Sequence, residues 1–306
     1  MKKKGKGMLK LDLSIVIVNW NNKKILQDCL KSIYQTHPDY QCEIIVIDNH
    51  SKDGSVEMIE GQFPEVKLVK NNENLGLAKA NNQGIRMAKM EYILLLNNDV
   101  IITHKNIFIR MIQFMQENPT VGVLGCKLLF TDGTLQSLGE DYTSVWKIFK
   151  SQILFSKTWK KLSKNIATNN VFRKVDWVLG ACLLTKRLVI EKVGMLKEEY
   201  FIVGGDVEFC YRVKNAGWDI GVLTNESIIH LMGKSTEKNL MVAYYYSINN
   251  NLANIRIIYK DNLKVMLAKN FYLIGILMRS VLAFFRKDKK VTDYLTIFMK
   301  ILKNKN

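Results

Sequence analysis

The chain has 306 residues, long enough to bury a real core, and with 48% hydrophobic and 10% aromatic residues it is not a disordered polymer. Its five cysteines (Cys29, Cys42, Cys126, Cys182 and Cys210) stand singly among apolar neighbours, which excludes a disulfide framework or a cysteine zinc site and reads as reduced, buried thiols. A net charge of +17 calls for an acidic partner or surface, and it is unevenly spread: Thr143 to Lys174 holds eight Lys/Arg and no acidic residue, and Leu240 to Asn306 holds twelve against Asp261, Asp288 and Asp293.

The lysine-rich start, Lys2 to Lys10, precedes only a short strand-like run, so no signal peptide is expected and the protein is expected to stay in the cytoplasm. Leu13 to Val18 is β-branched and ends in Asn19-Trp20-Asn21-Asn22, a buried strand with a polar tip. Ile25, Leu26, Cys29, Leu30 and Ile33 then recur at helical spacing up to Pro38. Glu43 to Asn49 repeats the strand and tip, which completes one βαβ unit. His50 to Ser55 is a capping turn before a helix at Val56, Val66 to Val69 a short strand, and Ala78 to Ala88 a helix.

Tyr92 to Leu96 is an apolar run that stops at Asn97-Asn98-Asp99 and resumes at Val100-Ile101-Ile102, as a buried strand does when its end carries polar groups into a crevice. Three such tips (Asn19 to Asn22, Asp48-Asn49, Asn97 to Asp99) would converge on one rim of a doubly wound, mostly parallel sheet, where ligands of open α/β folds sit.

Val121 to Cys126 is a further strand, Thr131 to Thr134 a turn, and the basic block from Thr143 reads as a surface excursion. Val175 to Leu184 returns to buried character, followed by a helix from Lys186 to Val193. Gly204-Gly205-Asp206-Val207-Glu208 presents two carboxylates at the start of a helix ending at Gly217, with Asp206 at or next to its N-terminus. Ile220 to Leu223 and Ser227 to His230 look like late strands.

These residues resemble the family 2 inverting glycosyltransferases of the GT-A fold, especially rhamnosyltransferase-like bacterial members that build cell-surface polysaccharides. The likeness rests on Ser14-Ile15-Val16-Ile17-Val18-Asn19-Trp20-Asn21, on Val46-Ile47-Asp48-Asn49 with Ser51, Asp53, Gly54 and Ser55, and on Glu73-Asn74-Leu75-Gly76 with Asn82 and Gly84. Leu95-Leu96-Asn97-Asn98-Asp99 and Gly205-Asp206-Val207-Glu208 complete it, over about Leu13 to Ser235. It implies a Rossmann-like α/β catalytic domain over residues 1–239, with a nucleotide-sugar half at about 11–125 and an acceptor half at about 126–239.

By the same resemblance, Val18, Trp20, Asp48, Asn82, Asn97 and Asn98 would bind the nucleotide. Asp99 and His230 would hold a divalent cation, Mg2+ or Mn2+, and Lys234 and Ser235 would reach the phosphates. Trp177, Gly180 and Ala181 would line the acceptor pocket. Asp206 would be the catalytic base, with Glu208 as the fallback, although Gly205 stands where the family usually has Glu. The implied reaction moves a sugar from dTDP-rhamnose or a UDP-hexose to a lipid-linked glycan acceptor. The rival reading is a catalytically inactive nucleotide-sugar- or polyanion-binding module of the same fold. Nucleic acid is not expected as a partner, because the basic and aromatic residues follow no recognition-module pattern.

Residues 240–306 read as a basic amphipathic helical tail. Phe271 to Phe285 is apolar apart from Arg279 and Ser280 and is flanked by Lys269 and by Arg286 to Lys290. It falls short of the roughly 20 residues that span a bilayer, so the expectation is an in-plane anchor, peripheral on the inner face of the cell membrane. A homodimer through the same tail is the alternative partner.

Overall fold

Strands covered on both faces need unbroken apolar runs, and the first half of the chain supplies them in alternation with amphipathic helices. In order these are β1 (Leu9–Asn19), α1 (Lys23–Thr36), β2 (Tyr40–Asp48), α2 (Ser55–Gln62), β3 (Lys67–Lys70), α3 (Leu77–Met87), β4 (Tyr92–Asn97), β5 (Val100–Ile101) and α4 (Ile107–Glu117). Then follow β6 (Val121–Leu129), β7 (Leu135–Ser137), α5 (Val145–Gln152), β8 (Phe172–Lys174), β9 (Cys182–Lys186), α6 (Arg187–Val193), α7 (Gly205–Asn215) and β10 (Asp219–His230). The chain closes with α8 (Leu240–Tyr259), α9 (Asn262–Phe285) and α10 (Val291–Lys303). This computed structural model describes residues 9–36, 40–154, 170–202, 204–231, 240–287 and 291–303.

The chain divides into two units, one of residues 1–140, 168–201 and 205–235, the other of residues 141–167, 202–204 and 236–306. In the first, one sheet runs in the order β3-β2-β1-β4-β9-β6-β10-β5, with β7 beside β6 and β8 beside β10. The β3-β2-β1-β4 half is parallel throughout. β9 enters antiparallel between β4 and β6, and β6 and β10 are again parallel. The α/β sheet expected from the sequence is therefore present, with antiparallel insertions in its second half. The two late strands expected at 220–223 and 227–230 are one strand, β10, whose register against β6 shifts between Leu223 and Ser227.

Tyr92 to Leu96 is buried at every position, on both faces of the sheet, which is why this central strand lacks polar alternation. α3 lies close on β1: a Cβ added at Gly84 would stand 2.2 Å from Val16 Cγ1.

The second unit is helical and takes in more than the tail, because Ile148 of α5 shares a core with Ile248, Ile255, Ala268, Ile276 and Ile301. Part of the basic block is thus a docked helix rather than an excursion, with Phe149 edge-on to Phe271. Residues 155–169 of that block lie outside the described residues. The apolar stretch from Phe271 is the latter part of a longer helix. Asp261 caps α9 by accepting from the N–H groups of Leu263 and Lys264, so the helix starts well before the apolar run.

Candidate active site

Parallel strands end on the same edge of a sheet, and the register here aligns their polar tips: Asn19 pairs with Asp48, and Val18 with Asn97. Asn19 ties them together. Its amide nitrogen donates to Asp48 Oδ2 at 3.0 Å and to Ser51 Oγ at 3.2 Å, and its carbonyl oxygen accepts from Asn98 Nδ2 at 2.9 Å. Asp48, almost wholly buried, takes a second bond at Oδ1 from the Ser51 N–H at 2.8 Å. The sequence signal for Asn19 was its place at a polar strand tip; its bridging role shows only when three strands are in register. Trp20 stands beside it, 42% exposed, while Val18 is half-buried.

Asn49 anchors the following loop, donating to Asn74 Oδ1 at 3.2 Å and to the Gly76 carbonyl at 3.3 Å. Asn82 makes its hydrogen bonds to the chain around Leu196. It is buried, and its amide both donates to the Leu196 carbonyl at 2.8 Å and accepts from the Leu196 N–H at 3.1 Å, pinning the chain ahead of α7.

The turn after β4 carries Asp99 to the end of β10. β5 pairs antiparallel with β10, His230 opposite Val100, and the Leu231 N–H donates to the Asp99 carbonyl at 2.8 Å. His230 Nε2 consequently lies 3.2 Å from Asp99 Oδ1 and 3.4 Å from Asn97 Nδ2, with both Asp99 and His230 buried. On the other side of the ring, His230 Nδ1 meets Gln136 Oε1 at 2.7 Å. Gln136 was missed in the sequence, where the only cue was the Thr131 to Thr134 turn that returns β7 alongside β6. Beneath this tip, burial pushes the Cys29 thiol up to about 12, so it is an inert core group.

Asp206 opens α7. Its Oδ2 accepts from the Gly180 N–H and its Oδ1 from the Val207 N–H, each at 2.9 Å. The residue next to Gly180 makes the complementary link, since the Ala181 carbonyl accepts from the Asn97 N–H at 3.2 Å. One segment thereby joins Asp206 to the Asn97–Asp99 tip. Trp177, at its start, exchanges backbone bonds with Glu140. Glu208 points elsewhere: it is buried against Arg212, whose Nε and Nη2 reach it at 2.9 to 3.0 Å, with Lys197 at 3.4 Å. Lys234 and Ser235 lie outside the described residues.

Among the described residues no three His, Cys, Asp or Glu side chains gather to hold a metal by themselves. Asp99 and His230 form a two-member set of carboxylate oxygen and imidazole nitrogen, which fits Mn2+ better than the oxygen-preferring Mg2+, provided that a bound diphosphate supplies further oxygens.

The profile described as "Glycosyl transferase family 2" matches residues 14–180. The low-salt glycan biosynthesis hexosyltransferase of Haloferax volcanii is 26% identical over 224 residues, covering 72% of this chain and 67% of that protein. An N-acetylglucosaminyl-diphospho-decaprenol L-rhamnosyltransferase of Mycobacterium tuberculosis is 23% identical over 74% of this chain and 78% of that protein. Other relatives are far longer, and the chain spans 23% and 17% of two of them. A mannosyltransferase of Pyrobaculum calidifontis, solved in complex with GDP-Man and Mn2+, superposes with a TM-score of 0.61 at 15% identity, over 96% of this chain and 88% of that one.

Proposed function

The chain belongs to glycosyl transferase family 2, and from that premise we propose that it is an inverting enzyme that moves a sugar from a nucleotide-diphospho-sugar to a lipid-linked glycan. It is a glycosyltransferase of the GT-A fold. The single observation that carries the finer reading is the Gly180-Ala181 link. Two adjacent backbone groups hold Asp206 and the Asn97–Asp99 tip, a candidate base and a candidate diphosphate end, on one short segment.

In this reading the nucleobase packs by Val18 and Trp20 and meets Asp48, which the Asn19 network holds in place. Asp99 and His230 would hold a divalent cation, which when bound would supply positive charge to offset the negative charge of the leaving diphosphate. Asp206 takes the proton from the acceptor hydroxyl as that oxygen attacks the anomeric carbon on the face away from the leaving group, where oxocarbenium character develops. Two backbone N–H donors fix the carboxylate's orientation for that task. Glu208 is the weaker candidate, since its carboxylate is committed to Arg212. Gly205 leaves the space next to the base without a side chain, which bears on acceptor choice.

dTDP-rhamnose is the first donor and a UDP-hexose the second; the rhamnosyltransferase relative supports the first. That relative's decaprenol-linked substrate supports a lipid-linked acceptor.

The C-terminal unit supports work at a membrane surface. α9 is long and apolar enough to cross a bilayer, with a mean hydropathy of 1.5 over its most apolar window. One side of it, however, packs into its own unit through Val265, Ala268, Tyr272 and Ile276, while Leu263, Leu267, Ile274, Leu277, Val281 and Phe284 form a single exposed stripe, at successive spacings of four, seven, three, four and three. Such a helix lies in the plane of an interface. Lys264, Lys269, Arg286 and Lys287 around it favour an anionic inner leaflet over a second, equally basic copy of the chain.

The test is donor turnover with membrane extract as acceptor and Mn2+ present, in wild type, Asp99→Ala and Asp206→Asn. Turnover lost in both variants supports the assignment, and turnover untouched by either refutes it.

A further inference from the structure

Gln136 contacts His230 at two points. Its Nε2 donates to the His230 backbone carbonyl at 3.4 Å, and its Oε1 faces His230 Nδ1 at 2.7 Å. A backbone carbonyl only accepts, so the first contact fixes which end of the amide is which. Oε1, being an acceptor, then requires the proton on Nδ1. In the neutral ring this leaves the lone pair on Nε2, directed to Asn97 Nδ2 at 3.4 Å and Asp99 Oδ1 at 3.2 Å.

We propose that Gln136 is a positioning residue that holds His230 in the Nδ1–H tautomer and so keeps its Nε2 lone pair beside the Asp99 carboxylate as one half of a divalent-cation site. The inference rests on the reading of Asp99 and His230 as metal ligands. The other tautomer would place an N–H on Nε2, 3.2 Å from Asp99 Oδ1, and the two ligands would bond to each other. Losing Gln136 thus withdraws both ligands at once. His230 is 7% exposed, so water is poorly placed to take over the missing acceptor. The three-residue strand β7, otherwise a short return of a surface hairpin, presents that acceptor.

The test uses 15N-labelled full-length protein without metal. Long-range proton–nitrogen correlation reports which imidazole nitrogen is protonated, and His230→Gln assigns the signal among four histidines. The expected wild-type result is a protonated Nδ1 and a bare Nε2. Gln136→Met, of the same length but without the carbonyl, is expected to move the proton to Nε2, and Gln136→Glu, which keeps an acceptor, to leave it on Nδ1. Titration with Mn2+ in the presence of a nucleoside diphosphate (UDP or dTDP), read as paramagnetic broadening of the His230 signal, is expected to need 10–100-fold more metal in Gln136→Met and about the wild-type amount in Gln136→Glu. Gln136→Ala is the second variant should Met distort the hairpin, with the same expectation. A wild-type Nε2–H, or an unchanged tautomer and Mn2+ response in both Met and Ala variants, overturns the inference. Absence of any effect of Mn2+ on His230 in the wild type, with the nucleoside diphosphate present, overturns the metal reading and the inference with it.

Discussion

His230 Nε2 stands 3.2 Å from Asp99 Oδ1 because β5 turns back from the tip of β4 and pairs with the last residues of β10. The pair is created by strand register, and each member is worth little as a metal ligand without the other. Asp99→Asn and His230→Ala are each expected to lower kcat/KM by about a hundredfold or more, roughly 3 kcal/mol, since a cation's charge stabilisation is several kcal/mol. Both should also abolish the Mn2+ dependence of nucleotide binding, measured by calorimetry; retained Mn2+ dependence in either would count against the pair.

Asp206 and Glu208 sit on the same first turn of α7 with opposite surroundings, so their substitutions should part company. Asp206→Asn is expected to cut kcat by about 10²- to 10⁴-fold while the thermal midpoint stays within a few degrees. Glu208→Gln strips a buried partner from Arg212, and about 3 kcal/mol of stability should go with it, read as a lower urea midpoint, because breaking one side of a buried pair leaves the other uncompensated. The reverse pattern would make Glu208 the base.

Gly84→Ala should destabilise despite helix propensity. The substitution gains up to about 1 kcal/mol from the helix but presses a methyl group onto Val16, and overpacking of this kind costs about 1–3 kcal/mol. A net loss of about 1 kcal/mol in denaturant unfolding is expected, and a gain would show that α3 can lift off β1 freely.

The exposed stripe of α9 should carry the protein onto lipid. Full-length protein is expected to float with phosphatidylglycerol-containing vesicles and not with phosphatidylcholine alone, with binding weakened by salt. Leu277→Glu with Phe284→Glu should abolish flotation and leave the melting temperature unchanged, since both side chains are exposed. Dimerisation through this face, detected as a doubled mass in light scattering that the same variant halves, would replace the lipid reading.

Burial pushes the thiols of Cys29 and Cys42 up to about 12. A thiol reacts as thiolate, so raising pH towards 12 increases its reactivity, and at pH 8 both thiols stay protonated. Slow alkylation of the folded protein at pH 8, and rapid alkylation in urea, is the expected result.

The alternation of apolar runs with amphipathic helices, and the polar residues that end Leu13–Val18, Glu43–Ile47 and Tyr92–Leu96, were legible in the sequence because burial and pleat impose local, periodic patterns. Asp99, at a strand tip, and Asp206, at the start of a helix, stood out locally as polar residues at element boundaries, and the family resemblance supplied the roles expected of them. Which distant groups meet them was decided by tertiary structure. The pairing of β5 with β10 brought His230 to Asp99, the hairpin strand β7 brought Gln136 to His230, and the 180–181 segment tied Asp206 to the strand tip. Packing of α3 against the chain ahead of α7 set the engagement of Asn82 with Leu196, whereas Glu208 and Arg212 meet through the i,i+4 spacing of α7 itself, a local pattern. The two faces of α9 divided only when half of the helix found a core to pack against. An element's own pattern records how much of it is buried; the identity of the group across the gap depends on how separate elements align, and no single segment encodes that.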